Sequence, residues 1–324
     1  MMAILKVRDL RIYYSTPFGH VKAVDGVTFD IKEGEVFGIA GESGCGKSTL
    51  VHSLILRKPP MVHMGGEAIF KGKDLMKLSE EEARKIRYTE LSIIPQYAMN
   101  ALNPTKKIKD TVWDLARDHG YTDRNEVEKL LRERLAMVKL SPKVADMYPV
   151  ELSGGMRQRA TMVVSTLLNP DLLIADEVTS ALDVTTQRVV IELLHHFMEE
   201  GIVKSIIFVT HDLALLDKIA DRFMVMYAGK MVEIGPTEDV IKSPAHPYTR
   251  MLIDSLPRLG VHYKRQKLHS IPGYPISLLN PPKGCRFYTR CPYVMDHCKE
   301  EEPPLVKVGE EHYAACHLLG GENQ

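Results

Sequence analysis

The sequence lacks a net charge, a long apolar run and an abundance of cysteine, and each absence excludes a class of protein. Acidic and basic residues balance at 42 each in 324 residues, so no strong field draws the chain to nucleic acid. No apolar stretch approaches the ~18 residues of a membrane span, and residues 1–10 have no signal-peptide pattern. We therefore expect a protein that stays in the cytoplasm, where clustered cysteines indicate metal ligation before disulfides.

Strand and helix patterns alternate along the first 235 residues. Apolar or β-branched runs predict buried strands at Val36–Ala40, Leu172–Ala175 and Ser205–Thr210. A helical pattern over Val184–Glu200 separates the last two, which is the spacing of a right-handed β-α-β unit in a parallel sheet. With 44% apolar residues the chain can bury a sizeable core, and the pattern predicts an α/β fold.

The region after Gly235 has a different composition. Eleven of the 19 prolines lie there, which excludes long regular helices and predicts a small, loop-rich module that needs a cross-link to hold it. Between the two strand-rich regions, charges recur at helical spacing over Ser79–Ile86 and Arg124–Leu140. We expect a boundary near residue 237, which divides the chain into residues 1–237 and residues 238–324.

A glycine-rich segment directly follows the strand predicted at Val36–Ala40 and opens a helical run. It fits the pattern of a phosphate-binding loop, in which backbone N–H groups surround a β-phosphate at a helix N-terminus. In this pattern Lys47 reaches the β- and γ-phosphates, and the Ser48 hydroxyl coordinates Mg²⁺. The flanking strand and helix disfavour the alternative of an ordinary glycine-rich turn. The residues expected to contact ATP here are Gly41, Ser43, Gly44, Cys45, Gly46, Lys47, Ser48 and Thr49.

Two carboxylates end the strand predicted at Leu172–Ala175. Asp176 is suited to contact Mg²⁺, and Glu177 is placed to polarise the water that attacks the γ-phosphorus of ATP. Two acids after a strand are common and usually lie in solvent. They gain functional meaning only beside the phosphate loop.

Residues Leu152–Gln158, LSGGMRQ, resemble the signature motif of the ABC ATPase family, with Met156 where glutamine is usual. Ser153, Gly154 and Gly155 precede a helical run, so they form a capped helix terminus that can bind a γ-phosphate. In ABC cassettes this phosphate belongs to the partner subunit. The resemblance therefore implies that a dimer completes each ATP site, with Asp183 of the D-loop at residues 180–183 also contacting ATP across the dimer.

Further residues match the family in order along the chain. Tyr14 resembles the aromatic residue that stacks on adenine, with the adjacent Tyr13 as a competitor. Gln96 resembles the Q-loop glutamine, expected at Mg²⁺ and in catalysis, and His211 resembles the switch histidine that contacts the γ-phosphate. A lone histidine is more often structural, but His211 follows a predicted strand end, where phosphate sites lie.

The family resemblance also implies an architecture and an activity. The expected fold is a P-loop NTPase (RecA-like) core with an N-terminal antiparallel β subdomain and a helical subdomain at about residues 97–165. Because Glu177 is intact, we expect the chain to hydrolyse ATP rather than only bind it.

Within the family, single cassettes without fused membrane helices or long coiled coils resemble importer subunits. Residues 243–250, SPAHPYTR, and residues 96–104, QYAMNALNP, resemble the oligopeptide, dipeptide and nickel importers. That resemblance implies a second related ATPase subunit, two permeases and an extracytoplasmic binding protein, with this chain at the cytoplasmic face of the membrane. It favours peptides as substrate and leaves oligosaccharides and nickel open. A soluble ABC ATPase that acts without permeases is the alternative of a different class.

Four of the five cysteines lie close together in the proline-rich tail: Cys285, Cys291, Cys298 and Cys316. Zinc sites favour two short C-x₂₋₄-C pairs, which this spacing lacks. An iron–sulfur cubane tolerates wider spacing, and the proline after Cys291 is a frequent companion of such clusters. Relatives with a similar tail also look like iron–sulfur proteins. The sequence thus favours a [4Fe–4S] cluster with a structural role, and leaves open a role in electron transfer. Zn²⁺ and free thiols or disulfides are the alternatives to the cluster.

Overall fold

The computed structural model describes residues 2–180, 182–255 and 271–320. These ranges contain twelve strands and nine α-helices, with short 3-10 turns between some of them. In chain order the strands are β1 (Ala3–Thr16), β2 (Gly19–Lys32), β3 (Val36–Ala40), β4 (Met61–Phe70), β5 (Lys73–Asp74), β6 (Leu91–Ile94), β7 (Leu172–Asp176), β8 (Ser205–Val209), β9 (Arg222–Tyr227), β10 (Lys230–Pro236), β11 (Leu305–Gly309) and β12 (His312–Ala315). The helices are α1 (Lys47–Ile55), α2 (Glu80–Ile86), α3 (Ile108–Asp118), α4 (Arg124–Met137), α5 (Gly154–Thr166), α6 (Val184–Glu199), α7 (Leu213–Ile219), α8 (Thr237–Lys242) and α9 (Pro247–Asp254).

One compact unit comprises the described residues before 77 and after 209. It contains an antiparallel sheet in the order β2-β1-β4-β5 and a second group of strands in the order β11-β12-β10-β9-β3. Strands β3 and β9 are parallel, whereas β10 runs antiparallel to β9 and to β12. Every residue of β3 is buried, as its apolar run predicts. The phosphate loop therefore begins at the carboxyl end of a buried strand.

The other compact unit comprises residues 77–209, of which Ala181 in the predicted D-loop lies outside the described residues. Strands β8, β7 and β6 form parallel neighbours, and helices α3, α4 and α5 lie between β6 and β7 in the chain. Polar side chains set the helix starts: Asp123 caps α4, and Asp183 caps α6. The predicted α/β class with an N-terminal antiparallel subdomain is confirmed, and the residue limits of the domains stay predictions.

The C-terminal region contains more regular structure than its proline content predicts. Its helices α8 and α9 are short, with six and eight residues. The hairpin of β11 and β12, however, extends the strand group of the first unit, with Glu233 opposite Ala314 and Ile234 opposite Tyr313. Among the described residues, no helix has both the length and the apolar content needed to cross a bilayer.

Candidate functional site

The phosphate loop joins β3 to α1 and depends on two glycines. Gly41 (φ 142°) and Gly46 (φ 109°) have left-handed backbone conformations. A Cβ atom added at Gly41 would lie 2.2 Å from the carbonyl oxygen of Met226, and one added at Gly46 would lie 2.0 Å from that of Ala23. Both positions therefore exclude larger residues. The result is a close backbone cradle at a helix N-terminus, which fits a bound phosphate.

Lys47 lies inside this loop and is 3% exposed. Its ammonium donates to the carbonyl oxygens of Gly41 at 2.7 Å and Glu42 at 3.1 Å. Helix α1 begins at Lys47, so Ser48 and Thr49 stand in its first turn. The charge and the first-turn hydroxyls are thus placed together, as the loop motif predicts.

The two adjacent tyrosines have different surroundings. The Tyr14 hydroxyl lies 3.1 Å from Oγ1 of Thr49, on the helix that follows the phosphate loop. The Tyr13 hydroxyl instead donates to Asp25 at 2.6 Å. The position of Tyr14 beside α1 supports its choice as the adenine contact, which stays a prediction.

Two predicted catalytic residues meet in the second unit. Strand β7 ends at the fully buried Asp176, and Glu177 follows with a left-handed φ of 46°. The Glu177 backbone N–H donates to the Val209 carbonyl at 3.0 Å, which fixes this sharp turn. Gln96, which follows β6, donates from Nε2 to Oε2 of Glu177 at 2.9 Å. The turn and this hydrogen bond hold the carboxylate in one orientation.

The residues predicted to act across a dimer stand at exposed helix N-termini. Ser153 caps α5 by accepting the Met156 N–H at 3.4 Å, and Gly154 and Gly155 form the first turn. Asp183 caps α6 by accepting the Thr186 N–H at 3.0 Å. Hydrogen bonds from the Thr186 side chain and backbone lower the pKa of Asp183. An anion on another chain can therefore approach the N–H groups of α5.

His211 is exposed and lies between β8 and α7. The preceding residue, Thr210, donates its backbone N–H to the Ile39 carbonyl at 3.1 Å. Asp212 on the other side caps α7 by accepting the Ala214 N–H at 2.9 Å. These contacts hold His211 beside the strand that leads into the phosphate loop.

The oxygen atoms predicted to bind Mg²⁺ fit the chemistry of that ion. Mg²⁺ prefers hard oxygen ligands, and Ser48, Gln96 and Asp176 supply a hydroxyl, an amide and a carboxylate. Ser48 belongs to the first compact unit, and the other two belong to the second. Their joint ligation of Mg²⁺ stays a prediction.

The four tail cysteines line a single pocket. All are free thiols, and the Cys285 backbone N–H donates to the Cys298 carbonyl at 2.8 Å. Burial, together with the neighbouring thiols, raises the pKa of the Cys285 thiol to about 11. Burial also raises the pKa of Cys316. A bound metal would replace these protons, so the donor set fits a thiolate-bound metal.

Two histidines near this pocket were missed by the sequence prediction. His297, Cys298 and His317 present ligand atoms that all lie within 4.8 Å of one another. The sequence carried a signal for them, because each histidine is adjacent to one of the four cysteines. This compact group contains Cys298 alone of the four cysteines.

Family models match both parts of the chain. The model described as "ABC transporter" matches residues 24–180, and the model described as "Oligopeptide/dipeptide transporter, C-terminal region" matches residues 232–298. The dipeptide transport ATP-binding protein DppD of Caldanaerobacter subterraneus subsp. tengcongensis is 44% identical over 321 residues, which is 98% of each protein. The oligopeptide transport ATP-binding protein OppD of Bacillus subtilis is 41% identical over 98% of this chain and 89% of its own length.

Solved structures of ATP-binding cassettes are similar over a shorter part of the chain. The cassette MJ0796, in a dimeric post-hydrolysis state bound to ADP and Pi, has a TM-score of 0.64 and 26% identity, and it covers 72% of this chain. The match includes 98% of that cassette. CbiO1 of Clostridium perfringens has a TM-score of 0.61 and 25% identity, over 75% of this chain and 92% of its own. Sequence similarity to the peptide-transport proteins, by contrast, extends through the cysteine-bearing tail.

Proposed function

We infer that this chain, which belongs to the ATP-binding subunits of the dipeptide and oligopeptide ABC transporters, hydrolyses ATP to drive the uptake of peptides. The observation that carries the catalytic assignment is the 2.9 Å hydrogen bond from Gln96 to Glu177, because it orients a general base at the end of β7. The substrate class rests on the relatives, whose names specify dipeptides and oligopeptides.

In the proposed mechanism the phosphate loop binds ATP first. Its backbone N–H groups hold the β-phosphate, and the Lys47 ammonium exchanges its carbonyl partners for phosphate oxygens. Tyr14 stacks on the adenine ring. Mg²⁺, held by Ser48, Gln96 and Asp176, would neutralise charge on the β- and γ-phosphates.

Glu177 then acts on the attacking water. Its carboxylate accepts a proton as the water oxygen bonds to the γ-phosphorus and the bond to the ADP oxygen breaks. Gln96 keeps that carboxylate oriented through the hydrogen bond at 2.9 Å. His211 contacts the γ-phosphate and helps to hold the water.

A second ATPase subunit completes each site in this proposal. Ser153, Gly154 and Gly155 bind the γ-phosphate in the partner's site through the hydroxyl and the N–H groups of α5, and Asp183 contacts the same nucleotide. The capped N-terminus of α5 supports this role, because Ser153 is exposed and Gly154 and Gly155 are partly exposed. ATP binding thus closes a head-to-tail dimer, and hydrolysis reopens it.

The dimer works beneath membrane subunits. We propose that it binds peripherally at the cytoplasmic face to two permeases, which receive peptides from an extracytoplasmic binding protein. The segment after Gln96 transmits closure of the dimer to the permeases.

Reconstitution tests the function directly. The chain is assembled with its second ATPase, permeases and binding protein in lipid vesicles, and accumulation of a labelled dipeptide or oligopeptide is measured. We expect uptake that requires ATP and the binding protein and that stops with Glu177→Gln. Uptake of an oligosaccharide or nickel but not of peptides would change the substrate assignment. ATP hydrolysis without any association with permeases would indicate a soluble ATPase.

For the cysteine site we propose a structural [4Fe–4S] cluster held by Cys285, Cys291, Cys298 and Cys316. All four cysteines line one pocket, and their spacing in the sequence lacks the two short C-x₂₋₄-C pairs that zinc sites favour, which supports this choice. Such a cluster would cross-link a tail that has few regular elements. Anaerobic purification should give a brown protein with iron and acid-labile sulfide in a fixed ratio to the chain. A colourless protein with stoichiometric zinc would support zinc instead.

A further inference from the structure

Two side chains of the C-terminal region hold the phosphate loop. Arg290 donates from Nη1 and Nη2 to the two carboxylate oxygens of Glu42, at 2.6 and 2.9 Å. The Tyr248 hydroxyl accepts the backbone N–H of Glu42 at 2.9 Å. Glu42 is the second residue of the loop. Arg290, which is 248 positions away in the chain, therefore fixes the side chain of Glu42, and Tyr248, which is 206 positions away, fixes its backbone.

Arg290 is built into this contact. Its side chain is 3% exposed, and Nε donates to the Pro272 carbonyl at 2.8 Å. The guanidinium also lies 5.7 Å from the centre of the Tyr227 ring. The hydrogen bond with Glu42 is the main cause that raises the pKa of Arg290, so the side chain stays charged. A bidentate pair of this kind has one preferred geometry, and removing Glu42 would leave the buried Arg290 charge without its partner.

Three packed rings support the pair. The centroids of Tyr227 and Tyr248 are 4.7 Å apart, and Phe287 lies 5.2 Å from each. All three side chains are buried. Phe287 and Arg290 both belong to residues 285–291, the segment whose two ends are Cys285 and Cys291. The segment that supplies two of the cysteines is therefore the one that supports the phosphate loop.

A second contact of residues 285–291 leads to the same loop. Arg286 pairs with Asp25 and donates to the Ala228 carbonyl. The next residue in that turn, Gly229, donates its backbone N–H to the Cys45 carbonyl at 2.8 Å. The segment thus has two links to the phosphate loop. One is direct, through Glu42, and the other is indirect, through the turn at residues 228–229.

We propose that residues 285–291 are a positioning element for nucleotide binding: Arg290, together with Tyr248, holds the phosphate loop through Glu42, and occupancy of the cysteine site sets how firmly it does so. The proposal rests on the ATP-binding part of the proposed function. A loop that is already ordered loses less conformational freedom when it binds phosphate. A ligand at Cys285 and Cys291 restrains both ends of the segment, so it stabilises the conformation that presents Arg290.

Nucleotide affinity of the full-length chain tests the role of Arg290. The dissociation constant of a fluorescent ATP analogue is measured for wild type, Arg290→Ala and Arg290→Lys. We expect Arg290→Ala to weaken binding about tenfold and Arg290→Lys to restore part of it, because lysine keeps the charge without the bidentate geometry. The matched control is Arg250→Ala in α9, an exposed arginine whose hydrogen bond goes to the Pro244 carbonyl at 3.3 Å. It should bind the analogue as wild type does.

Three further variants separate positioning from general loosening of the tail. In Arg290→Ala combined with Glu42→Gln, the two effects should not add, because both remove the same pair. Glu311→Gln removes the ion pair of the C-terminal region with Lys32, outside residues 285–291, and should keep the wild-type affinity. Arg286→Ala should also weaken binding, because it removes the second link to the loop. Unchanged affinity in Arg290→Ala, or an equal loss of affinity in Glu311→Gln, overturns the proposal. If the wild-type chain itself does not bind the ATP analogue, the proposed function fails instead.

The link to the cysteine site is tested by metal removal. The chain is loaded anaerobically with iron and sulfide, and half of the sample is then stripped with a chelator. We expect the stripped wild type to bind the ATP analogue several-fold more weakly and Arg290→Ala to respond little. Because coupling between two sites is reciprocal, ATP should also slow metal loss to the chelator in wild type. If loaded and stripped wild type bind the ATP analogue with equal affinity, occupancy of the cysteine site does not affect nucleotide binding, and this part of the proposal is overturned.

Discussion

The carboxylate of Glu177 is held by backbone geometry as well as by a side-chain contact. A left-handed conformation costs a non-glycine residue about 1–2 kcal/mol, and Glu177 adopts it with a φ of 46°. Its N–H donates to Val209, and its carbonyl accepts the Ser180 N–H at 3.0 Å, so both backbone groups are satisfied in this turn. The turn and the hydrogen bond from Gln96 together restrict the orientation of this carboxylate, which supports the proposal that Glu177 is the general base.

Glu177→Gln should therefore stop hydrolysis and spare binding. We expect the rate of phosphate release by the assembled complex to fall about 10²- to 10⁴-fold, because the amide cannot accept the proton. ATP affinity should change little, since the amide keeps a similar shape. Glu199→Gln, at an exposed position at the end of α6, is the control and should keep the wild-type rate. A wild-type rate in Glu177→Gln would show that another group is the base.

His246 should make the stability of the chain depend on pH. Burial lowers its pKa from 6.5 to about 4, and its Nδ1 accepts the Tyr248 backbone N–H at 3.0 Å. At pH values between about 4 and 6.5, the unfolded chain therefore binds more protons than the folded chain. The free energy of unfolding therefore falls as the pH falls from about 6.5 to about 4, with a slope of up to ~1.4 kcal/mol per pH unit from this residue.

His246→Asn isolates this contribution, because the amide oxygen can accept the same N–H and does not titrate. Denaturant unfolding at pH 7.5 and pH 5 should show a smaller loss of stability in the variant than in wild type. The exposed His20→Asn serves as the control and should keep the wild-type pH dependence. If His246→Asn and wild type lose stability equally, protonation of His246 is not linked to unfolding.

At the scale of elements, two helix caps of similar structural role should differ in their effect on ATP hydrolysis. Ser153 and Asp123 both cap helices at exposed positions, Ser153 by a 3.4 Å bond from Met156 and Asp123 by a 2.8 Å bond from Asn125. Alanine at either should cost about 1 kcal/mol or less of stability. Only Ser153→Ala should also lower ATP hydrolysis in the assembled complex, by roughly a hundredfold, because it removes a donor to the γ-phosphate. The prediction is falsified if both variants keep full activity.

The elements that were predicted are those whose signals are local in sequence. Buried strands such as β3 and β7 are continuous apolar runs, and the phosphate loop is marked by closely spaced glycines. The hairpin of β11 and β12 was not predicted, because its strands have five and four residues and half-exposed surfaces. It joins β10, and the contact between Glu233 and His312 spans 79 residues. Such a pairing depends on the folded chain and leaves no periodic pattern.

The residues of the candidate site also divide into those that the sequence predicted and those that it did not. Gln96, Glu177 and the loop residues belong to motifs, so their identities were predicted from short segments. The contact between Arg290 and Glu42 spans 248 residues and was not predicted, since neither residue stands in a pattern that specifies the other. The choice of Tyr14 over Tyr13 came from the family resemblance, because adjacent strand residues point to opposite faces and either ring is chemically suitable. That choice stays a prediction.

At the scale of the whole molecule, the residues proposed to bind and hydrolyse ATP are distributed over two compact units. The phosphate loop, Tyr14 and His211 belong to one unit, and Gln96, Glu177 and the N-terminus of α5 belong to the other. The cysteine-bearing tail belongs to the same unit as the phosphate loop. The tail contacts this loop through Arg290, so it belongs structurally with the phosphate loop rather than forming an independent appendage.

The proposed completion of the site by a second chain predicts that hydrolysis depends on protein concentration. If the α5 N-terminus serves a partner's nucleotide, an isolated chain lacks one set of γ-phosphate donors, and the rate per chain should rise with the concentration of this chain or of its partner ATPase. The rise should level off once the dimer is saturated, and Ser153→Ala should lower the plateau. The measurement is phosphate release over a hundredfold range of concentration at saturating ATP and Mg²⁺. A rate per chain that stays constant over this range would mean that one chain carries a complete site, because dilution separates partners without altering either chain.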